Sequence, residues 1–367
     1  MFLFLYQELC QEQLPKQLQE RLPARSPGPW QQPLSRAWRY LACAFALFSL
    51  GLLPALFIPA SAAVLPKVHF LIPAGPGGGW DGTARGMGEA LQKSGLVTQV
   101  SFENLSGGGG GRAIAKLIEG AERQPHTLLM NSTPMVVRSL QQIFPQSFRD
   151  LVPIASVIAD YSAFVVAKDS PLLNFADVVH TFKTNPRAIK VAGGSVRGST
   201  DHFIFARALE MAGADPRKVI YIAYDGGGKA MAGILSHETQ ILSTGLSEAI
   251  DMARAGEARI IAITAPARLA DAPELPTLAE QGYPLTFANW RGVFAAKGLP
   301  AERYTDMMDT ISQMLETPAF EEVRRRNGWT VLHLQGEVFY QFLEQQEEEI
   351  GTLMRSLGFL RPEPAKP

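Results

Sequence analysis

The sequence predicts an α/β protein of two lobes, built from parallel strands with helices on both faces. Three observations carry that prediction. Hydrophobic runs of strand length alternate with stretches of helical spacing from Lys67 to Thr264. Two glycine clusters, Gly75 to Gly79 around Pro76 and Gly107 to Gly111, each follow such a hydrophobic run. Finally, roughly 300 residues follow an N-terminal leader, more than one α/β core comfortably takes.

The leader comes first in the chain. Arg36 and Arg39 precede an apolar run from Leu41 to Ile58, and Pro59-Ala60-Ser61-Ala62 has the small-x-small form of a signal-peptidase site. Residues 1–62 are therefore read as an N-terminal extension plus signal peptide, with cleavage after Ala62 and export to the periplasm. The apolar run is also long enough to span a bilayer, so an uncleaved membrane anchor is the alternative. Met1 to Pro33, rich in Gln and Pro, is read as an over-extended start. Both cysteines, Cys10 and Cys43, fall in this part. The exported chain is expected to carry no disulfide, and a core of its size needs none. The whole chain has a net charge of −1, so no basic excess points to nucleic acid.

In chain order, a strand at Lys67 to Ile72 leads through the first glycine cluster to a helix over Thr83 to Gln92. A strand ending at Leu105 leads through the second cluster to a helix over Arg112 to Glu119, and Thr127 to Asn131 reads as a buried strand. Three further strand and helix pairs follow. They are Ile189 to Ala192 with Asp201 to Met211, Val219 to Ala223 with Lys229 to Leu235, and Thr239 to Ser243 with Ser247 to Ala255. Arg259 to Thr264 is the last strand of this series. The C-terminal Glu337 to Met354 is amphipathic and reads as a packing helix with a solvated acidic face. Ser162 to Lys168 and Thr286 to Ala295 are extended and flank a run of βα units. As crossovers they divide the chain into one discontinuous lobe, 64–163 with 290–360, and one continuous lobe, 164–289, joined by a two-strand hinge.

Glycine permits φ > 0 and lets backbone N–H groups approach a ligand, so glycine loops at adjacent strand ends form a plausible anion cradle. Several chemistries do not fit it. Trp80 stands where the third glycine of a dinucleotide fingerprint belongs, and Gly111-Arg112-Ala113 lacks the Gly-Lys-Ser/Thr of a P-loop. A serine-hydrolase elbow around Ser195 would need glycine where Arg197 stands. The six histidines are scattered without ligand spacing, so no metal and no cofactor is expected.

Five segments, in order, carry a resemblance. They are Phe70 to Arg85 with its Pro-Ala-Gly-Pro-Gly-Gly-Gly-Trp-Asp core, Asn104 to Arg112, Gly193 to His202, Tyr224 to Lys229, and Trp290 to Ala295. Together they resemble the substrate-binding proteins of tripartite tricarboxylate transporters, also called Bug receptors, from about Val68 to Phe359. The resemblance implies a type II periplasmic binding-protein fold, two α/β lobes closing on a small carboxylated ligand. It also implies carboxylate recognition largely through backbone N–H groups, and a partner in the membrane subunits of a transporter. A monomer is expected, taking a di- or tricarboxylate, an amino acid or an aromatic acid.

The same resemblance places four segments around one cleft. From the first come Ala74, Gly75, Pro76, Gly77, Gly78 and Trp80; from the second, Asn131, Ser132 and Thr133. The third supplies Gly194, Ser195, Ser199 and Thr200, and the fourth Tyr224, Gly226 and Gly227. Competing structural roles stand beside these. Turn formation competes at Gly77 and Gly78, helix capping at Ser195, Ser199 and Thr200, and core packing at Trp80 and Tyr224. Asp81 and Asp201 read as first-turn acids, and Arg197, Lys229 and Arg291 as the cations nearest the motifs. The leading expectation is a non-catalytic receptor. A periplasmic sensor signalling to a membrane kinase would use the same cleft, and a hydrolase or transferase would need a nucleophile and base that the spacing does not provide.

Overall fold

A computed structural model describes residues 65–360. The expected signal peptide, its cleavage after Ala62 and the N-terminal extension lie outside the described residues. Strand β1 (Leu65–Ile72) pairs in parallel with β2 (Val97–Asn104) on one side and β3 (Thr127–Ser132) on the other. Between them run helix α1 (Gly79–Lys93) and helix α2 (Gly111–Glu119), and α3 (Thr133–Leu140) follows β3 directly. This is the βαβ alternation that the hydrophobic spacing predicts.

The chain then departs from a parallel pattern. Strand β4 (Leu151–Ala167) runs for 17 residues and is antiparallel to every strand it meets. From Leu151 to Tyr161 it pairs with β9 (Ala288–Ala296), and from Ser162 onward with β7 (Ile241–Gly245) and β8 (Ala258–Ile263). Strand β9 in turn lies antiparallel to β3. The sheets are therefore mixed rather than parallel. A parallel pair is held by a local crossover, but β4 and β9 are brought together by segments far apart in the chain, which local periodicity does not register.

The second half repeats the βα pattern. Helix α4 (Phe175–Thr184) precedes β5 (Lys190–Gly193), then α5 (Thr200–Met211), β6 (Ile220–Ala223), α6 (Gly227–Leu235), β7, α7 (Leu246–Arg254) and β8. Here β5 is parallel to both β6 and β7. The result is two α/β lobes that share β4. Where β4 changes partners, Thr264 fastens the returning chain. Its Oγ1 accepts from Ser162 N at 2.9 Å and donates to the Phe287 carbonyl at 2.5 Å. Strand β4 thus runs on from one lobe into the other, and the chain returns to the first through Phe287 and β9.

After β9 the chain adds α8 (Ala301–Leu315), α9 (Pro318–Asn327), β10 (Thr330–Gln335) along β4, and α10 (Gly336–Ser356). The first core gathers Phe70, Met87, Leu91, Val157, Met307 and Trp329, all essentially inaccessible. The second is seeded by Phe164, Phe175 and Phe205, whose rings meet at 5.1–6.3 Å between centroids. Helix α10 sends Phe339 edge-on to Trp290 of β9, 5.4 Å between centroids. It covers this face of the sheet as its apolar stripe predicts. Among the described residues no helix is long and apolar enough to cross a membrane.

Candidate functional site

A cavity of about 360 Å³ opens where β1, β3, β5, β6 and β7 end and their loops turn into helices. In open α/β sheets this carboxyl edge is where ligands are met. The first wall is the loop from Pro73 to Gly78. Its shape is held by Asp81, which accepts from Gly77 N at 2.9 Å, from Arg85 Nε at 2.9 Å and from Asn104 Nδ2 at 3.0 Å. Burial works to raise the Asp81 carboxyl, but the Arg85, Gly77 and Asn104 hydrogen bonds outweigh it and leave the group below its ordinary value. Asn104 also donates to the Ala74 carbonyl at 3.0 Å, so the second motif's asparagine braces the first motif's loop.

Gly107, Gly108, Gly109 and Gly110 all take positive φ, 124°, 57°, 64° and 101°. Any side chain there would be strained, which accounts for the cluster. The turn curls around Arg138 of α3. A Cβ on Gly109 would come 3.0 Å from the Arg138 Cδ, and the Gly109 carbonyl accepts from Arg138 Nη1. Arg138 is 6 % exposed, lies 5.6 Å from the Trp80 ring, and has a buried Nε with no hydrogen-bond partner. No carboxylate among the described residues forms an ion pair with it. Burial drives its guanidinium down to about 10, and the more distant Asp201 charge opposes this.

The opposite loops meet backbone to backbone. Gly226 N donates to the Gly194 carbonyl at 3.0 Å, and a Cβ on Gly194 would lie 2.5 Å from Gly227 N. Glu248, in the first turn of α7, reaches across the cavity floor. Its Oε1 accepts from Gly79 N at 2.6 Å, at the uncapped N-terminus of α1, while Oε2 accepts from the Thr244 hydroxyl. Its carboxyl carbon also lies 2.6 Å from where a Gly227 Cβ would be, beside the N-terminus of α6. The chain's own glutamate therefore fills the meeting point of two helix N-termini, where free N–H groups and the partial positive charge of each helix favour an anion.

Asp201 accepts from Ser195 Oγ at 2.7 Å and borders the cavity. Burial first, and the Glu248 charge second, push its carboxyl up to about 7. Behind it, burial holds the His202 ring down to about 4, and its Nδ1 accepts from Gly198 N at 3.0 Å. Beneath the cavity Arg291 pairs with Asp160 at 2.7 Å and donates to Thr83 Oγ1 at 3.0 Å. Ser247 of α7 completes the knot, donating from its Oγ to Asp160 at 2.6 Å. Burial raises the Asp160 carboxyl above the usual range, while Arg291 and Ser247 pull against that rise.

Of the residues expected at the cleft, Ala74, Gly78, Trp80 and Ser132 line the cavity from one side. Gly194, Ser195, Tyr224, Gly226 and Gly227 line it from the other. Gly75, Pro76 and Gly77 belong to the bracing loop and are not in the lining. Asn131 and Thr133 are buried beside Ser132, with Asn131 Oδ1 accepting from Ser132 N at 3.0 Å. Ser199 takes the N-cap position of α5 without a side-chain cap bond, and the hydroxyls of Ser199 and Thr200 are buried without partners. Arg291 reaches the lining already paired, Lys229 pairs with Asp225 at 3.3 Å, and Arg197 is exposed outside it. Sequence reasoning passed over Arg138 and Glu248. The signal for Arg138 was present, a single charge inside the apolar Thr133-Pro-Met-Val-Val-Arg-Ser-Leu helix; Glu248 looks like any first-turn acid.

Two lobes sharing β4, with a cavity at the strand ends lined by glycine loops, define a solute-binding protein of the periplasmic type. The Ser195 hydroxyl donates to Asp201, and His202 Nδ1 accepts from Gly198 N. Residues 83–359 match the model of the tripartite tricarboxylate transporter family receptor, and the chain belongs to that family. Its members are receptors, not enzymes. Protein BugT of Bordetella pertussis is 28 % identical over 280 residues, covering 74 % of this chain and 84 % of that one. The periplasmic binding protein BugD superposes with a TM-score of 0.72 at 22 % identity, over 80 % of this chain and 98 % of its own. An R. palustris protein solved with adipate gives a TM-score of 0.72 at 21 % identity, over 80 % of this chain and 97 % of that one.

Proposed function

We propose that this chain is an exported receptor that captures a small carboxylate between its lobes in the periplasm and presents it to the membrane subunits of a tripartite transporter. The observation that carries the reading is the cavity-lining Arg138, a buried guanidinium with no anionic partner among the described residues, set in a member of a tricarboxylate receptor family. Leaving such a charge uncompensated is costly, and an anionic ligand removes the cost. The adipate of the R. palustris neighbour is in keeping with a small carboxylate.

The lobes move as 64–163 with 290–360 against 164–289, hinged where β4 changes partners between Tyr161 and Ser162. A ligand touching both sides stabilises the closed form, and the closed form is what a membrane partner reads. Isothermal calorimetry of the purified chain against mono-, di- and tricarboxylates and amino acids is expected to give a binder. Small-angle scattering should show the chain contracting when that ligand is added. Silence across the whole panel overturns the reading.

A further inference from the structure

We propose that a second cavity, tucked under the C-terminal turn, is an effector site that binds a small oxyanion, of which inorganic phosphate is the simplest, between Arg197 and His202. The site goes beyond the receptor reading; only its coupling to a captured carboxylate rests on that reading.

After α10 the chain turns at Gly358, φ 76°, and the Phe359 and Leu360 amides donate to the Met354 carbonyl at 2.8 and 3.3 Å. The turn lays Phe359 edge-on against His202 of α5, with 4.8 Å between centroids. Just past α3, Gln141 donates through Nε2 to the Gly198 carbonyl at 3.0 Å. Between these contacts and the Pro216 to Val219 segment lies a cavity of about 310 Å³. It shares no lining residue with the cavity between the glycine loops.

Among the described residues no carboxylate lines this space, and two guanidiniums do. Asp215 holds Arg217 with two hydrogen bonds, at 2.9 and 3.2 Å. Arg197 is exposed and has no ion pair or hydrogen bond among the described residues. An exposed arginine is ordinarily satisfied by water, so the neighbouring ring carries the assignment. His202 is 2 % exposed, and its Nδ1 accepts from Gly198 N at 3.0 Å. Burial first, then the Arg197 charge, hold the ring down to about 4, so at neutral pH it is uncharged and its proton sits on Nε2. That N–H has no partner among the described residues. A nearly buried donor left unmet is costly, and beside a free cation with no acid in the walls the group that satisfies it is an anionic oxygen.

The segment from Gly194 to His202 separates the two cavities. Ser195 and Asp201 line the first, Arg197, Gly198 and His202 the second. Tyr221 ties the two sides together, stacking on His202 at 4.6 Å and donating from its hydroxyl to the Ser195 carbonyl at 2.8 Å. An oxyanion held by Arg197 and His202 therefore fixes the backbone that presents Ser195 and Asp201 to the first cavity. Gln141 and Phe359 come from the other lobe, so occupancy also favours closure. The two binding events are coupled, each changing the affinity of the other by the same factor.

Calorimetry of the purified chain with inorganic phosphate, at constant ionic strength in chloride, is expected to show one saturable site. Arg197→Gln should weaken it at least about tenfold. His202→Phe keeps an aromatic ring against Tyr221 and removes the donor; it should weaken phosphate as well, with thermal melting confirming that the variant folds. Arg138→Met, in the first cavity, should bind phosphate like the parent. The carboxylate found by the panel should change in affinity about fivefold or more when phosphate is present, and not in Arg197→Gln. No saturable phosphate binding, or binding that Arg197→Gln leaves intact, overturns the site, while a bound carboxylate leaves the receptor standing. Carboxylate affinity indifferent to bound phosphate overturns the coupling. A chain that binds phosphate but no carboxylate overturns the receptor and keeps the site.

Discussion

Replacing Arg291 by Met tests how the two lobes are tied beneath the cavity. In the parent, Arg291 and Asp160 face each other at 2.7 Å with side chains 3 % and 0 % exposed. Arg291 also bonds Thr83 of α1 and Ser247 of α7, at 3.0 and 3.3 Å. Methionine keeps much of the volume and removes the charge. Asp160 is then left inside with only Ser247, through its N–H at 3.2 Å and its hydroxyl at 2.6 Å. Removing one partner of a buried ion pair costs about 3–5 kcal/mol, far more than the pair's net contribution, because the stranded charge remains desolvated. For a protein of this size that corresponds to a fall of roughly 10 °C in Tm. Urea unfolding followed by tryptophan fluorescence reads the loss directly, with Trp290 beside the substituted residue as a reporter. Adding Asp160→Asn to Arg291→Met removes the stranded charge and keeps both Ser247 contacts, so at least half the stability should return. A single variant losing less than about 1 kcal/mol, or a double variant no more stable than the single, refutes the reasoning.

Three further expectations follow from the same geometry. Gly194→Ala places a Cβ 2.5 Å from Gly227 N, a backbone atom that cannot swing aside, so the cavity loops must separate. A stability loss of about 1–3 kcal/mol in denaturant is expected, with weaker ligand binding. Gly86→Ala sets a Cβ 2.7 Å from Val323 Cγ1 where α1 meets α9, away from the cavity, and should cost a similar amount of stability with ligand affinity retained. Asp201, facing Ser195, Arg138, Glu248 and Tyr221, titrates near 7 in the fold against an ordinary 3.8. Between those values the native state holds a proton the unfolded chain has released, so this group's contribution to stability is largest below pH 4 and declines as pH rises to 7. Unfolding free energies measured at pH 5 and 8 should converge in Asp201→Asn relative to the parent; an identical pH dependence in both refutes the assignment.

Much of the fold was legible in the chain. The period-3.6 spacing of Thr83 to Gln92 and Asp201 to Met211, and the hydrophobic runs before each glycine loop, reappear as α1, α5 and the strands that feed the cavity. These are local patterns, set by which face of one element must be buried. The antiparallel course of β4 was not legible, because its partners β7, β8 and β9 lie far along the chain and nothing within residues 151–167 encodes their direction. The Gly107 to Gly111 cluster could be seen but not interpreted until Arg138 was found inside its curve.

The sequence by itself determined the α/β class, the family and the loops that converge on one edge of the sheets, because propensity, periodicity and turn chemistry act between near neighbours. Only the tertiary structure decided which charges in that edge are already spent. Arg291 and Glu248 look alike in the sequence as charges near glycine motifs, yet one is neutralised by Asp160 and the other fills a helix N-terminus. Arg138, unremarked in its apolar helix, is the cation left over. Whether a charge is paired depends on what the fold brings within a few ångströms of it, and that distance is set by packing between segments more than a hundred residues apart.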